Sequence, residues 1–186
     1  VTLTDAQQAT LAKAFETIVA QNLAAPSVYV HRDFMMRNLM VRADGRLSVL
    51  DFQDAVYGPV TYDIASLMRD AFISWDEEFV IDITVRYWER ARRTGLLDHE
   101  GWHSDFASFY RACEWMGLQR HLKVAGIFAR LTLRDGKEKY LADAPRFIRY
   151  IRDTARRYRE LWPLLRLIDA VEGDTDAVSG YAIGRV

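Results

Sequence analysis

The chain has 186 residues, half of them hydrophobic, a net charge of -1 and one cysteine, Cys113. This length predicts one domain or one large lobe, and the near-zero charge gives no reason to expect nucleic-acid binding. No apolar run approaches the ~20 residues of a membrane span. One cysteine excludes an internal disulfide and favours a reducing compartment, so we expect a cytoplasmic protein that binds neither nucleic acid nor membranes.

The N-terminal part of the chain predicts a helix followed by a short strand. Thr4 and Gln7 have the spacing of a capping box, and apolar residues then recur with helical periodicity until Ala24-Ala25-Pro26. The run Val28-Tyr29-Val30 predicts a strand that leads into His31. The candidate functional residues therefore begin directly after the first predicted strand.

The stretch from His31 to Asn38 reads H-R-D-x-x-x-x-N, and Asp51-Phe52 follows it. This is the pattern of the catalytic and metal-binding loops of protein kinases. Phosphoryl transfer to an alcohol needs an acceptor for the hydroxyl proton, which Asp33 can supply. It also needs hard oxygen ligands for Mg²⁺, which Asn38 and Asp51 can supply. We therefore assign Asp33 as the catalytic base and Asn38 and Asp51 as metal ligands.

Asp44-Gly45 lies between these two ligands and predicts a tight hairpin turn, because apolar runs at 39–41 and 47–50 flank it. Pairing the strands about a two-residue loop places Asn38 directly opposite Asp51. Directly opposed Cβ atoms lie about 5 Å apart, which would let both side chains share one cation. The alternative is an ordinary hairpin with scattered polar residues.

The remainder of the chain predicts mostly helices. Tyr57-Gly58-Pro59 has the composition of a turn, and a helix begins at Tyr62. Apolar periodicity and Gly or Pro punctuation predict four further helical segments, at 79–88, 106–131, 145–155 and 164–171.

One block of motifs carries a family resemblance. It consists of His31-Arg32-Asp33, Asn38, Leu50-Asp51-Phe52-Gln53-Asp54, Gly58-Pro59 and Tyr62-Asp63-Ile64-Ala65-Ser66-Leu67. The block resembles the aminoglycoside phosphotransferase and choline kinase-like family, which shares the protein-kinase fold but phosphorylates small molecules. Gln53 stands where protein kinases have the glycine of D-F-G, and no A-P-E element follows. The resemblance implies ATP as co-substrate and Mg²⁺ as cofactor.

Within that family, the runs 50–70, 116–123 and 127–131 are most similar to the bacterial anomeric sugar kinases. Those enzymes phosphorylate the C1 hydroxyl of N-acetylmuramate and N-acetylglucosamine during cell-wall recycling. One alternative acceptor is an aminoglycoside or another small alcohol, although the basic cluster Arg120-His121-Lys123 does not suit a polycation. A second alternative is a non-catalytic kinase-like module that binds a ligand or partner.

Five further residues receive roles. We expect His31 to orient the catalytic loop through packing and hydrogen bonds, and the resemblance implies that Asp63 braces the same loop. Asp54 is a candidate for a second metal or a substrate hydroxyl, or else a solvated turn residue. Arg120 and His121 are candidates for acceptor binding, since an Arg suits a carboxylated sugar; the alternative is a solvated helix face.

The predicted fold is α+β and mostly helical, namely the C-terminal lobe of the protein kinase-like fold with a small β-hairpin carrying the metal ligands. We expect this lobe to occupy residues 1–171 and a poorly ordered tail to occupy 172–186. No glycine-rich loop or strand-rich nucleotide roof is found in the sequence, so the N-terminal lobe is expected to be absent. The chain alone should then be inactive, with an exposed lobe face that favours self-association.

Overall fold

The computed structural model describes residues 2–70, 73–98, 101–137 and 144–173. The described residues form a mostly helical α+β fold with two small antiparallel sheets, which is consistent with a kinase-like C-terminal lobe. The predicted tail lies outside the described residues from 174 onward. In chain order the elements are α1 (Asp5–Leu23), β1 (Ser27–Val30), β2 (Leu39–Val41), β3 (Leu47–Val49), β4 (Val56–Pro59), α2 (Tyr62–Met68), α3 (Glu77–Arg93), α4 (Phe106–Leu133), α5 (Ala144–Arg157) and α6 (Trp162–Glu172), with short 3₁₀ helices at Met36–Asn38 and Arg159–Leu161.

The predicted capping box at the start of α1 is confirmed. The Thr4 hydroxyl accepts from the Gln7 amide at 3.3 Å, and the Gln7 side chain accepts from the Thr4 amide at 2.9 Å. Two otherwise unpaired N–H groups at the helix end are thereby satisfied. The helix buries Ala14 and Ile18 in the interface with α4 and α6.

The predicted turn at Tyr57-Gly58-Pro59 is wrong, because these residues belong to strand β4. This strand pairs antiparallel with β1, with Ser27 opposite Pro59 and Tyr29 opposite Tyr57. Pro59 is tolerated because β4 belongs to a two-stranded sheet and is therefore an edge strand. Gly58 is buried, and a Cβ there would lie 3.2 Å from Val30 Cγ2, so this glycine serves a close approach between strands.

The hairpin of β2 and β3 forms, but its predicted register is wrong by one residue. Leu39 pairs with Val49 and Met40 with Ser48. The reason is the loop length: Arg42 donates to the Arg46 carbonyl at 2.8 Å across a three-residue loop in which Gly45 has φ = 76°. A loop of this kind, with glycine in the left-handed region, adds one residue relative to a two-residue turn. Asn38 therefore faces Leu50, and the direct opposition to Asp51 is lost.

Helix α4 is the centre of the packing. Its Phe109 and Cys113 belong to a buried cluster with residues of α2 and α3, whereas its Trp115 and Leu118 belong to a second cluster with α1, α5 and α6. All four side chains are buried. Since both clusters share this one helix, α4 fixes the relative positions of the elements around the site. Among the described residues, no helix combines the length and apolarity needed to cross a bilayer.

Ionic contacts join α2 to α3 at the edge of this core. Arg69, at the end of α2, makes two hydrogen bonds of 2.9 and 3.0 Å to the Glu77 carboxylate in the first turn of α3. Tyr110 of α4 donates to the same carboxylate. Burial by itself raises the pKa of Glu77, but the hydrogen bonds from Arg69 and Tyr110 outweigh it and hold the pKa at about 2. Glu77 is therefore ionised at neutral pH.

A second ionic contact joins α4 to the end of α5. The Glu114 carboxylate is buried and accepts hydrogen bonds from Arg157 and from the Tyr158 hydroxyl. A buried carboxylate is tolerated only with such partners. Burial and the bond to Glu114 both raise the pKa of Tyr158, so its hydroxyl remains a donor.

Candidate active site

The predicted catalytic loop, which follows β1, is held by a carboxylate from helix α2. Asp63, in the first turn of α2, accepts from the His31 amide at 2.7 Å and from the Arg32 amide at 3.0 Å. One side chain thus fixes two consecutive peptide N–H groups immediately before Asp33. Hydrogen bonds to an ionised acceptor are stronger than neutral ones, so this contact gives the loop a defined position.

The His31 ring joins the catalytic loop to the end of the hairpin. Its Nε2 atom lies 2.8 Å from the carbonyl oxygen of Leu50, and its ring packs edge-to-face on Phe34 with centroids 6.0 Å apart. Leu50 directly precedes Asp51. The ring of His31 therefore ties the segment of Asp33 to the segment of Asp51.

Two residues of the site have left-handed backbone conformations. Arg32 has φ = 77° and Asp51 has φ = 66°. Such values are uncommon outside glycine and cost on the order of 1 kcal/mol or more unless the surroundings enforce them. Here Asp63 holds the amide of Arg32, and the Gln53 amide group donates to the Asp51 carboxylate at 2.8 Å. Strain of this kind concentrates at functional positions.

Asn38 and Asp51 lie at the same end of the hairpin despite the shifted register. The Leu50 amide donates to the Asn38 carbonyl at 2.9 Å, which makes Asp51 the next residue beyond a paired position. The Asn38 side chain donates its N–H to the Asp33 carbonyl at 2.9 Å, and this orients its amide oxygen as the remaining acceptor.

This pair of oxygen donors fits Mg²⁺ better than a soft or fully protein-coordinated metal. Amide and carboxylate oxygens are hard ligands, and Mg²⁺ commonly takes one or two protein ligands with water and substrate phosphates. Within the described ranges, no group of three or more His, Cys, Asp or Glu side chains could form a metal cage. Asn38 and Asp51 thus supply the donor types that Mg²⁺ takes, and they stay predicted ligands.

The three residues predicted to contact the acceptor have different environments. Asp54 is exposed, and its carbonyl accepts from the Arg32 side chain at 3.2 Å. Arg120 is only 5% exposed, and its Nη1 donates to the Arg32 carbonyl at 3.3 Å. The structure thus brings both residues to Arg32. Neither Arg120 nor His121 lies on a solvated helix face, because both are buried.

His121 lies apart from the loop contacts of Arg120. Its ring stacks on Tyr150 with centroids 4.8 Å apart and packs against Phe147. Burial, followed by the nearby charges of Arg69 and Arg120, lowers the pKa of His121 to about 3. The imidazole is therefore neutral at physiological pH.

The sequence did not predict that Arg120 contacts the loop at Arg32. It also did not predict the contact between Arg120 and the ring of Tyr62. The guanidinium of Arg120 lies over the Tyr62 ring, 5.4 Å from its centroid. Arg32 and Arg120 are separated by 88 residues, so no local pattern connects them. Only the packing of α4 on α2 brings these groups together.

The arrangement of Asp33, Asn38 and Asp51, with the loop before Asp33 held by Asp63, is consistent with the site predicted above for a kinase-like phosphotransferase. Residues 2–97 match the phosphotransferase enzyme family, and the chain belongs to that family.

The chain is similar to bacterial proteins called N-acetylmuramate/N-acetylglucosamine kinase, including the following three. The protein of Neisseria meningitidis serogroup B is 57% identical over 89% of this chain and 48% of its own length. That of Pseudomonas putida is 48% identical over 95% of this chain and 50% of its own length. The protein of Pseudomonas aeruginosa is 46% identical over 87% of this chain and 46% of its own length. The chain thus spans about half the length of the curated relatives it matches.

Proposed function

We propose that this chain is the catalytic lobe of an ATP-dependent kinase that phosphorylates the anomeric hydroxyl of N-acetylmuramate and N-acetylglucosamine. The observation that carries the proposal is the 57% identity, over 89% of the chain, to a relative named for these two sugars. The family membership and the arrangement around Asp33 support the phosphotransfer chemistry. The single cysteine remains our reason to expect a cytoplasmic location.

Asp33 accepts the proton of the C1 hydroxyl and orients its oxygen toward the γ-phosphate of ATP. Asn38 and Asp51 would hold Mg²⁺, which supplies positive charge to the phosphate oxygens when it is bound. Asp63 and His31 keep the two segments of the site together through the hydrogen bonds described above. Most of the rate enhancement then comes from positioning and from charge stabilisation.

The nucleotide requires more protein than the residues described here. Asp33, Asn38 and Asp51 account for the proton acceptor and two metal ligands, but not for a surface that covers the adenosine. The relatives are about twice as long as the part matched by this chain. We therefore propose that the nucleotide-binding lobe is part of the full-length protein and packs against this one.

The test uses the full-length protein with Mg²⁺-ATP and each of the two sugars. We expect a sugar 1-phosphate, identified by ³¹P NMR through coupling of the phosphorus to the anomeric proton. The methyl glycoside of N-acetylglucosamine is the matched control, because its C1 oxygen carries no proton and cannot be phosphorylated. Phosphorylation of the methyl glycoside would place the reaction at another hydroxyl. Turnover of an aminoglycoside but of neither sugar would overturn the substrate assignment while retaining the kinase.

A further inference from the structure

The peptide backbone of Arg32 is held from two sides by oppositely charged side chains. Asp63 accepts from its N–H at 3.0 Å, and Arg120 donates to its carbonyl oxygen at 3.3 Å. Between these contacts Arg32 has φ = 77°. The next residue in the chain is Asp33. The direction in which Asp33 leaves the loop therefore depends on a residue, Arg32, whose backbone donor and acceptor are both engaged.

The position of Arg120 follows from a close approach of helices α2 and α4. A Cβ at Gly117 of α4 would lie 2.9 Å from Cγ of Arg69, the residue that follows α2, so a larger residue here would have to displace the Arg69 stem. One turn further along α4, Arg120 places its guanidinium over the ring of Tyr62. Tyr62 is the first residue of α2 and precedes Asp63. Both contacts to Arg32 are thus set by the same pair of helices.

Burial of Arg120 has a cost that packing alone does not explain. The side chain is 5% exposed, and its Nε has no hydrogen-bond partner among the residues that the structure describes. An apolar side chain of similar length would fill the space without placing a charge in the interior. An incompletely satisfied buried polar group requires an explanation. The contact with the Arg32 carbonyl provides one.

We propose that Arg120 is a positioning residue for the catalytic base. By holding the Arg32 carbonyl, it maintains the left-handed backbone at Arg32 and therefore the orientation of Asp33 toward the acceptor oxygen. This inference rests on the proposed kinase function, since it assigns Asp33 the role of base. It differs from the sequence-based assignment of Arg120 to acceptor binding, which requires direct contact with the sugar.

The kinetic test compares Arg120→Met with Arg130→Met in the full-length protein. Arg130 lies on the same helix but is exposed, so it controls for loss of one positive charge from α4. We expect Arg120→Met to lower kcat by about 10²-fold, the scale of a small misplacement of a reacting group. The KM values for sugar and ATP should stay unchanged, and Arg130→Met should behave as wild type. Arg120→Lys should recover part of kcat, since an ammonium can still donate to the Arg32 carbonyl.

Hydrogen exchange tests the same contact without using activity. In the full-length protein, the amides of His31 and Arg32 should lose protection in Arg120→Met, while peptides from α1 and α6 keep theirs. This result separates the two proposals, because it holds even if the substrate assignment fails. Unchanged protection at these amides would overturn the positioning role. A raised KM for the sugar with normal kcat would also overturn it and would restore direct acceptor binding.

Two milder variants cover the case in which Arg120→Met does not fold. Arg120→Lys keeps a positive charge and a donor but loses the planar guanidinium, and Tyr62→Leu removes the ring under the guanidinium while keeping an apolar side chain. If the proposal is correct, each lowers kcat at constant KM and lowers protection of the Arg32 amide. If both retain wild-type kcat and exchange, the proposal is wrong.

Discussion

The role proposed for Asp33 depends on the backbone conformation around it. The residue before it has φ = 77°, and the residue that ends the hairpin segment, Asp51, has φ = 66°. These values cannot be inferred from the letters H-R-D or D-F, since φ depends on contacts such as those of Asp63 and Gln53. The motif therefore predicts which residues matter, whereas long-range packing determines how they are oriented.

The direct test of the proposed base is Asp33→Asn in the full-length protein. Asparagine has the same size but cannot accept a proton from the acceptor hydroxyl. We expect kcat to fall by at least ~10²-fold, the usual scale for loss of a positioned base, with little change in the KM of the sugar. Steady-state kinetics would measure this, with Asp44→Asn in the exposed hairpin turn as the control. A near-normal kcat would remove Asp33 from the mechanism.

His121 should give the protein an acid-sensitive stability. The ordinary pKa of a histidine is 6.5. In the folded protein the pKa of His121 is lowered to about 3, because burial and the charges of Arg69 and Arg120 disfavour the imidazolium. Below pH 6.5 His121 becomes protonated in the unfolded state but stays neutral in the folded state. The free energy of unfolding should therefore fall as the pH drops toward 3. Above pH 6.5 this loss is absent.

Urea denaturation of wild type and His121→Leu at pH 8, 6, 5 and 4 would measure this effect. The difference at pH 8, where both side chains are neutral, gives the packing effect of the substitution and can be subtracted. We expect His121→Leu to have a shallower decrease in stability below pH 6.5. Identical slopes for the two proteins would show that His121 becomes protonated without unfolding.

At the scale of elements, local signals predicted the helices well and the strand pairing poorly. The Thr4 cap and the periodic apolar residues fixed α1, and Gly95 follows the end of α3 with φ = 75°. Strand β4 was missed because its pairing with β1 joins segments about 30 residues apart in the chain. The hairpin register failed for a different reason: one added loop residue shifts every pair, and Asp-Gly is compatible with both loop lengths.

The packing of α4 on α2 can be tested at Gly117. Alanine is the better helix former, but its Cβ would meet the stem of Arg69, whose guanidinium is fixed by Glu77. We expect Gly117→Ala to destabilise the protein by about 1–3 kcal/mol through overpacking. Gly126→Ala, at an exposed position of the same helix with open space around it, should stabilise by up to about 1 kcal/mol. Chemical denaturation of both variants would reveal the difference in sign; equal effects would contradict the close approach.

At the scale of the whole molecule, the described surface is uneven. Most of its exposed large apolar side chains lie between residues 29 and 57, where Tyr29 is 86%, Val41 73% and Phe52 69% exposed. The helices that pack on α4 contribute most of the buried apolar side chains instead. The strand region therefore has the surface character of an interface, as expected for a lobe that packs against another folded unit.

We expect the 186-residue chain, prepared alone, to self-associate through this strand region. Sedimentation velocity over a range of concentrations would measure the mass of the species in solution. The double variant Val41→Lys/Leu47→Glu should reduce association, because it places an opposite-charge pair at two exposed positions that face each other across the hairpin. Leu133→Lys removes a side chain that is 88% exposed at the end of α4 and should leave association unchanged. A strictly monomeric wild-type chain would contradict the prediction.

The motifs name the residues of the candidate site, whose roles stay predictions, but they do not show all the contacts among those residues. Asp33, Asn38, Asp51, His31 and Asp63 were all singled out from their motif positions. The link from Arg120 to Arg32 was not predicted, because it joins residues 88 positions apart and depends on the packing of α4 on α2. A single sequence gives the identity of such groups but not the packing that brings them into contact.

The position of Cys113 in the cluster shared by α2, α3 and α4 has a consequence for chemical labelling. Its thiol is buried, and burial, followed by the charge of Glu114, raises its pKa well above the ordinary value. Thiol reagents react with the thiolate, so they should modify this chain only when helix α4 separates from its neighbours. Since the chain has one cysteine, the rate of thiol labelling directly reports how often its core opens. Gly117→Ala should raise the labelling rate of Cys113, whereas Gly126→Ala should lower it.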